Sequence, residues 1–299
     1  MRVPATSANL GPGFDALGLA LDLFNTLALA PAPTDSLSAA GEGAAQLAGQ
    51  STTIAHDAAH QVLRALGCDV NGVHLEMHNA IPLARGLGSS SAAIVGGMLA
   101  ANGWARRETG NFLSPRELLE MATQIEGHPD NVAPALMGGL VAAARGESGV
   151  AAVRVEVKVW PQFVAWIPDA ELSTSRARAV LPDRVSRADA IYNLSRAALL
   201  VAALSAGHWD VLGEALNDRL HQNQRAPLVP GFAEISAAAR EAGAAGATLS
   251  GAGPTILAWI APASDADKVK GAMEGAAHSA GVAGRALVLK ASESGAAII

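Results

Sequence analysis

Pro82-Leu83-Ala84-Arg85-Gly86-Leu87-Gly88-Ser89-Ser90-Ser91-Ala92 is the stretch on which the reading of this 299-residue chain turns. It follows Val73-His74-Leu75-Glu76-Met77-His78, where apolar and polar residues alternate with the period of a half-buried strand. It runs into Ala92–Ala101, a small, apolar segment that reads as a buried helix. The order is therefore strand, glycine loop, helix. A helix start has N–H groups without partners and the positive end of the dipole, so it attracts phosphate. Gly86 and Gly88 let the backbone approach an anion without a Cβ in the way. Ser89, Ser90 and Ser91 can cap the helix, bond phosphate oxygens or ligate magnesium. For a generic Gly-x-Gly, a turn with serine caps is the plainer reading. Neither Gly-x-x-x-x-Gly-Lys-Ser/Thr nor Gly-x-Gly-x-x-Gly occurs, which excludes a P-loop and a dinucleotide fingerprint by motif. The residues alone point to an anion-binding loop.

Outward from the loop, Ile54–Leu66 places Ile54, Ala58, Val62 and Leu66 on one helical face. Ser114-Pro115-Arg116-Glu117 has an N-cap serine, a first-turn proline and an acidic first turn, opening a helix to about Ile125. Strands are expected at Val141–Ala144 and Val153–Val159, with the turn Gly146-Glu147-Ser148-Gly149 between them. That turn suggests two units, 1–150 and 151–299. The second half reads as helices near Ala188–Ala206, Trp209–Leu220 and Phe232–Ala242, then a strand–turn–strand over Thr248–Ile260. A last helix near Ser264–Ala277, with Ser264 as N-cap, precedes a strand near Arg285–Leu289. Without a regular βαβ rhythm, the mixture favours α+β.

Composition narrows the function. Hydrophobic residues make up 50% and charged residues 16%, the balance of a folded protein. The apolar runs Ala92–Ala101 and Ala197–Leu204 fall short of the roughly 20 residues that span a bilayer, so no membrane role is expected. No hydrophobic signal region follows Met1, and the lone Cys68 fits a reducing compartment; a cytoplasmic protein is the expectation. A net charge of −6 without a basic run argues against a nucleic-acid partner. Isolated arginines in such a chain suggest recognition of a small anion.

The loop resembles the ATP-binding signature of the GHMP kinases, the family that includes galactokinase, homoserine kinase and mevalonate kinase. Pro4-Ala5-Thr6-Ser7-Ala8-Asn9-Leu10-Gly11-Pro12-Gly13-Phe14-Asp15-Ala16-Leu17-Gly18 is similar to the N-terminal motif of the branch that phosphorylates homoserine. Glu126-Gly127-His128-Pro129-Asp130-Asn131-Val132-Ala133-Pro134 follows the same branch, and Ser250-Gly251-Ala252-Gly253-Pro254-Thr255 resembles the family's third motif, a glycine turn. The blocks span residues 4 to 255 in family order. The first lies close to Met1, so either a short first strand or a start internal to a longer chain is expected.

The resemblance implies a two-domain α+β fold, with a ribosomal-S5-like N-terminal half, a ferredoxin-like C-terminal half and ATP in the cleft between. It also implies magnesium, a homoserine substrate on the route to threonine and, as in many relatives, a homodimer. By resemblance, the loop residues Pro82 to Ala92 wrap the nucleotide, and Ser90 holds magnesium together with Glu126. Arg178 and Arg225 match positions that bind the substrate carboxylate, a task suited to the planar guanidinium fork. Asp15 is the natural partner of the ammonium, and Asn9, His128 and Thr174 match substrate-side positions. Ser250, Gly251 and Gly253 form the turn beside them. Asp130 is the general-base candidate, yet Asn131 is the residue implied near the reacting hydroxyl; both stay open. Asp15 and Asn9 could equally serve their own glycine turn.

His56-Asp57-Ala58-Ala59-His60 puts two imidazoles at i and i+4, but aspartate replaces the zinc-site glutamate and no third ligand is evident. These histidines are expected on a helix surface. His74 and His78 share the solvent face of their strand, and Trp160, Trp166, Trp209 and Trp259 read as core or interface residues.

Overall fold

The computed structural model describes all 299 residues. The chain opens with β1 (Arg2–Ala8), β2 (Leu17–Ala32), β3 (Ser36–Gly41), the single turn α1 (Ala44–Leu47), α2 (Ile54–Ala65) and β4 (Gly72–Asn79). Then come α3 (Ser89–Thr109), α4 (Pro115–Glu126), α5 (Pro129–Met137), β5 (Leu140–Gly146) and β6 (Gly149–Val155). The remainder is β7 (Gln162–Pro168), α6 (Thr174–Ala179), α7 (Arg187–Ala206), α8 (Leu212–Ala215), α9 (Gln222–Arg225) and α10 (Phe232–Glu241). It closes with β8 (Gly246–Leu249), β9 (Ile256–Ile260), α11 (Ala266–Ser279) and β10 (Gly284–Lys290).

Two sheets carry these elements. The first runs β3-β4-β2-β5-β6, with β1 also paired to the long β2. Within it only β3 and β4 are parallel. On β4, Val73, Leu75 and Met77 are buried while Glu76 and His78 are exposed, as the alternation requires. The second sheet runs β10-β7-β9-β8, antiparallel throughout. Its residues alternate between two cores. Phe163, Leu257 and Trp259 join the core that contains α2–α5, whereas Val164, Ile256 and Ala258 pack with Ile235, Val269 and Met273 of α10 and α11. One hydrophobic core therefore touches both sheets, which fixes their relation at the cleft between them. No helix is long and apolar enough to cross a membrane.

Several expectations need correction. The strand expected at Val153–Val159 is Gly149–Val155, because the hairpin register is set by the Gly146–Gly149 pair. The change of sheet consequently falls between Val155 and Gln162. The C-terminal tail also returns to the first sheet through the bridges Leu21–Ala291 and Arg2–Ala297. A helix over Trp209–Leu220 shrinks to α8, because the Asp218 carboxylate accepts the N–H groups of Leu220, His221 and Gln222 and turns the chain. The last helix is capped by Asp265 rather than Ser264, its carboxylate accepting from the amides of Asp267 and Lys268. His56 and His60 are not surface groups. His56 is fully buried, accepts the Thr53 amide on Nδ1 and donates from Nε2 to Ser36 O; His60 pairs with Asp35 at 2.9 Å. Both fasten α2 to the start of β3.

α2 and α3 cross with backbone in contact. A Cβ on Gly97 of α3 would lie 2.2 Å from Ala55 O, so no side chain fits without parting the helices. Gly97→Ala should lower stability by about 1–3 kcal/mol in urea melts. A loss below about 0.5 kcal/mol would mean that the pair tolerates separation.

Candidate active site

The glycine loop, the turn after β1, the α4–α5 junction, α6, α9 and the turn at Ser250–Pro254 enclose a cavity of about 110 Å³. The wall on the side of the glycine loop is built from backbone. Gly88 is the N-cap of the 21-residue α3, with φ +71° and no side-chain cap. Thr53, Ser114, Ser173, Ser186 and Asp265 do cap α2, α4, α6, α7 and α11. The first-turn amides of α3 thus have no side-chain cap, and Gly88, Ser89 and Ser90 open onto the cavity. Gly86 has φ +78°, and a Cβ there would lie 2.4 Å from Ser250 O; a Cβ on Gly88 would lie 1.9 Å from Thr6 Oγ1. Ser90 Oγ donates to Glu126 Oε2 at 3.1 Å on the open side.

Both halves hold this loop. From the first, the Thr6 amide donates to Leu87 O at 3.0 Å. From the second, Ser250 Oγ donates to Gly86 O at 2.6 Å, the Thr255 amide to Arg85 O at 3.3 Å and the Leu172 amide to Ala84 O at 3.2 Å. Of the loop residues, Ala84, Arg85, Gly86, Gly88, Ser89 and Ser90 line the cavity. Leu87, Ser91 and Ala92 turn into the core, and Pro82 lies in a neighbouring groove. Leu83 lines that groove and also an apolar pocket of about 210 Å³ with Leu47, Ile54 and Met77, which shares Ser89 and Ser90 with the cavity. Arg85 is fastened through Nε to Pro168 O at 2.8 Å, so its side chain serves the loop's attachment.

The opposite wall is built from side chains. Arg178 grips Asp15 in a fork, Nη2 to Oδ1 at 2.7 Å and Nη1 to Oδ2 at 3.0 Å. That hydrogen bond, with the Asp15 charge, raises the Arg178 pKa against the opposing effect of burial. Asn9 is turned inward: Oδ1 accepts the Asp15 amide at 3.0 Å and Nδ2 donates to Gly251 O at 2.8 Å. It ties the N-terminal turn to the glycine turn. Asn9, Asp15 and Ala84 have positive φ and all line the cavity, so most of the chain's non-glycine backbone strain is stored there. Thr174 lies on the rim as the first residue of α6. His128 and Asp130 are hydrogen-bonded through Nδ1 and Oδ1, and Asn131 Oδ1 accepts from Thr6 Oγ1 at 2.8 Å. Burial pushes the His128 pKa down, but the bond and charge of Asp130, with the Glu126 charge, outweigh it and leave it raised.

Arg225 differs from Arg178. It is 1% exposed, and its bonds go to Ala177 O, Gly251 O and His221 Nδ1, with no carboxylate among its partners. Burial, reinforced by the Arg178 charge, pushes its pKa down to about 10, which still leaves it cationic at neutral pH. A buried cation without a counter-charge is costly unless a ligand supplies one. Thr6, Leu172, Ala252 and His221 also shape the site, and nothing in their sequence context marks them individually.

The cavity, with an uncapped helix start on one side and unbalanced positive charge on the other, can hold an anionic nucleotide against a second, carboxylate-bearing molecule. Comparison with known proteins agrees. Residues 53–139 match the GHMP kinases N-terminal domain and residues 200–279 the GHMP kinases C-terminal model. The homoserine kinase of Desulfitobacterium hafniense is 47% identical over 301 residues, covering 100% of this chain and 99% of the relative. The chain belongs to the GHMP kinase family, among its homoserine kinases.

Other GHMP kinases repeat the pattern. The homoserine kinase of a Synechococcus strain is 45% identical, covering 100% of this chain and 97% of its own. The crystal structure of homoserine kinase from Cytophaga hutchinsonii superposes with a TM-score of 0.87 at 28% identity, over 100% of this chain and 96% of that one. That of the L. major mevalonate kinase in complex with R-mevalonate gives 0.71 at 17% identity, over 99% and 96%, and shares the fold. As a GHMP kinase, the chain uses ATP.

The His128–Asp130 pair sets a pH test. A pKa raised on folding adds stability that is complete below the unfolded value of about 6.5 and is lost as pH climbs through the folded value. The stability advantage of the wild type over His128→Gln should therefore be greater at pH 6 than at pH 9 in urea melts. Equal advantages at the two pH values would remove this pair as a charged interaction.

Proposed function

We propose that the chain transfers the γ-phosphoryl group of ATP to the side-chain hydroxyl of L-homoserine, yielding ADP and O-phospho-L-homoserine. The observation that carries this reading is Arg225, a buried cation with no carboxylate partner, across one cavity from an uncapped helix start. A neutral sugar or polyol would leave that charge unbalanced; an amino-acid carboxylate balances it.

The roles follow from position. The amides from Gly86 to Ser90 face the triphosphate, and the apolar pocket at Leu47, Ile54, Met77 and Leu83 takes the base beside them. Ser90 and Glu126 offer one hydroxyl and one carboxylate at the open end of the loop, an oxygen donor set that fits magnesium with its waters. Bound there, magnesium would neutralise charge on the phosphate oxygens. Arg225, joined by Arg178, takes the substrate carboxylate, and Asp15 takes the ammonium on its remaining lone pairs. The Arg178–Asp15 fork holds together the two charges that a zwitterion would bridge.

The hydroxyl oxygen forms the new P–O bond while the bond from the γ-phosphorus to the β–γ bridging oxygen breaks, and the hydroxyl proton leaves. Asp130 and Asn131 stand side by side at the start of α5, on the cavity wall. Asn131 has its oxygen engaged by Thr6, so its amide N–H groups remain for a phosphoryl oxygen. Asp130 is the group of the two that can accept a proton, within its pair with His128. Phosphoryl transfer passes through a loose transition state, so placement and charge neutralisation carry most of the rate.

A coupled ADP-release assay with homoserine, serine, threonine, mevalonate and galactose tests the reading. Turnover should be fastest with homoserine, and no ADP from homoserine would end the proposal. Glu126→Gln should cut kcat by about 100-fold or more without loss of the folded state. Wild-type turnover and magnesium dependence in that variant would remove Glu126 from the mechanism. Arg225→Ala should cost about 2–4 kcal/mol of homoserine binding, seen as a raised KM for homoserine and an ATP KM that holds.

A further inference from the structure

His221 lies outside the cavity lining and has no role in the transfer as described, yet it is fully buried at the back of the site. Its surroundings define which nitrogen carries the proton. Nε2 is 2.7 Å from Gly11 O, an acceptor only, so the proton sits on Nε2. Nδ1 is 3.1 Å from Arg225 Nη1, a donor only, so Nδ1 must be bare. A doubly protonated ring would set N–H against N–H. Burial lowers the pKa of His221 despite the nearby Asp218 charge and so favours the neutral ring that this geometry needs.

The ring is itself held from behind. The Asp218 carboxylate accepts the amides of His221 and Gln222, and Asn193 Nδ2 donates to Asp218 Oδ1 at 2.6 Å. The same Asn193 Nδ2 donates to Pro12 O at 3.2 Å, next to the Gly11 that His221 bonds. Phe14 covers the ring with centroids 5.2 Å apart. Arg225 spends Nε on Ala177 O and Nη1 on Gly251 O and His221 Nδ1, so Nη2 alone has no partner in the protein. Removing the Nδ1 acceptor would leave the guanidinium held by Ala177 O and Gly251 O alone and loosen its aim into the cavity.

We propose that His221 is a positioning residue for the amino-acid substrate: one neutral imidazole spans from Gly11 O to Arg225 Nη1, aims the Arg225 guanidinium into the cavity and fixes it relative to the turn that carries Asp15. The inference rests on the reading of Arg225 as the carboxylate anchor. It assigns the two ring nitrogens separate tasks, which substitution can separate. The asparagine oxygen can stand where Nδ1 stands and keep the acceptor for Arg225, whereas the glutamine amide can reach Gly11 O and offers Arg225 nothing.

Steady-state kinetics on the whole enzyme distinguish the cases. His221→Gln should raise the homoserine KM about tenfold, the size of one lost hydrogen bond to a charged group. The ATP KM and kcat should stay within about twofold, and His221→Asn should recover most of the homoserine affinity. The reverse order, or an ATP KM that rises alongside, would overturn the proposal and leave His221 as a clamp on the Gly11 turn. Arg225→Ala reads the underlying assignment separately: an unchanged homoserine KM there overturns both. If His221→Gln does not fold, imidazole ¹⁵N spectra of the wild type supply the test. Arg225→Lys should shift the bare Nδ1 resonance of one neutral ring protonated on Nε2. Absence of any such shift overturns the proposal.

Discussion

The space at Gly86 and Gly88 is the constraint on which the site depends. Thr6 of the first sheet occupies one side of the loop, and the Ser250–Gly253 turn occupies the other. A methyl group at either glycine would collide with one of them, and both positions need a left-handed backbone. The loop is therefore the joint at which the two sheets meet, and its shape is imposed from outside rather than by its own side chains. Strand β1, the start of α3 and the turn between β8 and β9 keep their mutual distance because the same peptide units touch all three.

The joint brings charges from distant parts of the chain into one cavity. Asp15, Glu126 and Asp130 supply the carboxylates, and Arg178, Arg225 and His128 face them. Two of the three cations are already paired, Arg178 with Asp15 and His128 with Asp130. Arg225 is the exception, and burial, with the Arg178 charge beside it, lowers its pKa. Glu126 is the carboxylate without a cation, so the charges left open are Arg225 on one side of the cavity and Glu126 on the other. The neutral state of His221 belongs to the same balance, since a third full positive charge beside Arg225 and Arg178 would have only Asp218 and the already paired Asp15 to offset it.

The sequence disclosed the parts of this arrangement that have a local cause. β4 was legible because one of its faces is buried, α4 because Ser114 and Glu117 form a capping box, and the loop because its glycines precede a helix of small residues. The long β2 was not, since its neighbours differ along its length: β1 and β5 flank its first part and β4 its second. β7 is buried on both faces and shows no alternation. The Trp209–Leu220 helix failed for a different reason: a single carboxylate, Asp218, takes the Leu220 amide and the two that follow it and turns the chain. In the site, Arg178 and Arg225 carried similar expectations, yet one is paired and half-exposed and the other unpaired and sealed. That difference rests on contacts across more than 150 residues of chain, such as Asp15 to Arg178, which no window of sequence contains. His221 and Thr6 were invisible for the same cause.

The two walls of the cavity are built by different means. The wall at the glycine loop is backbone: amides, a helix end and glycines, which any sequence that folds this way can present. The facing wall is side chain: a guanidinium fork, an oriented arginine and the polar groups that hold them. A fold of this kind can keep its nucleotide chemistry while sequence identity falls far, because the demand on the loop is for space and backbone angle. The facing wall enjoys no such freedom. Moving Arg225 would strand the His221 acceptor, and moving His221 would loosen the turn that holds Asp15, so these residues can change only together.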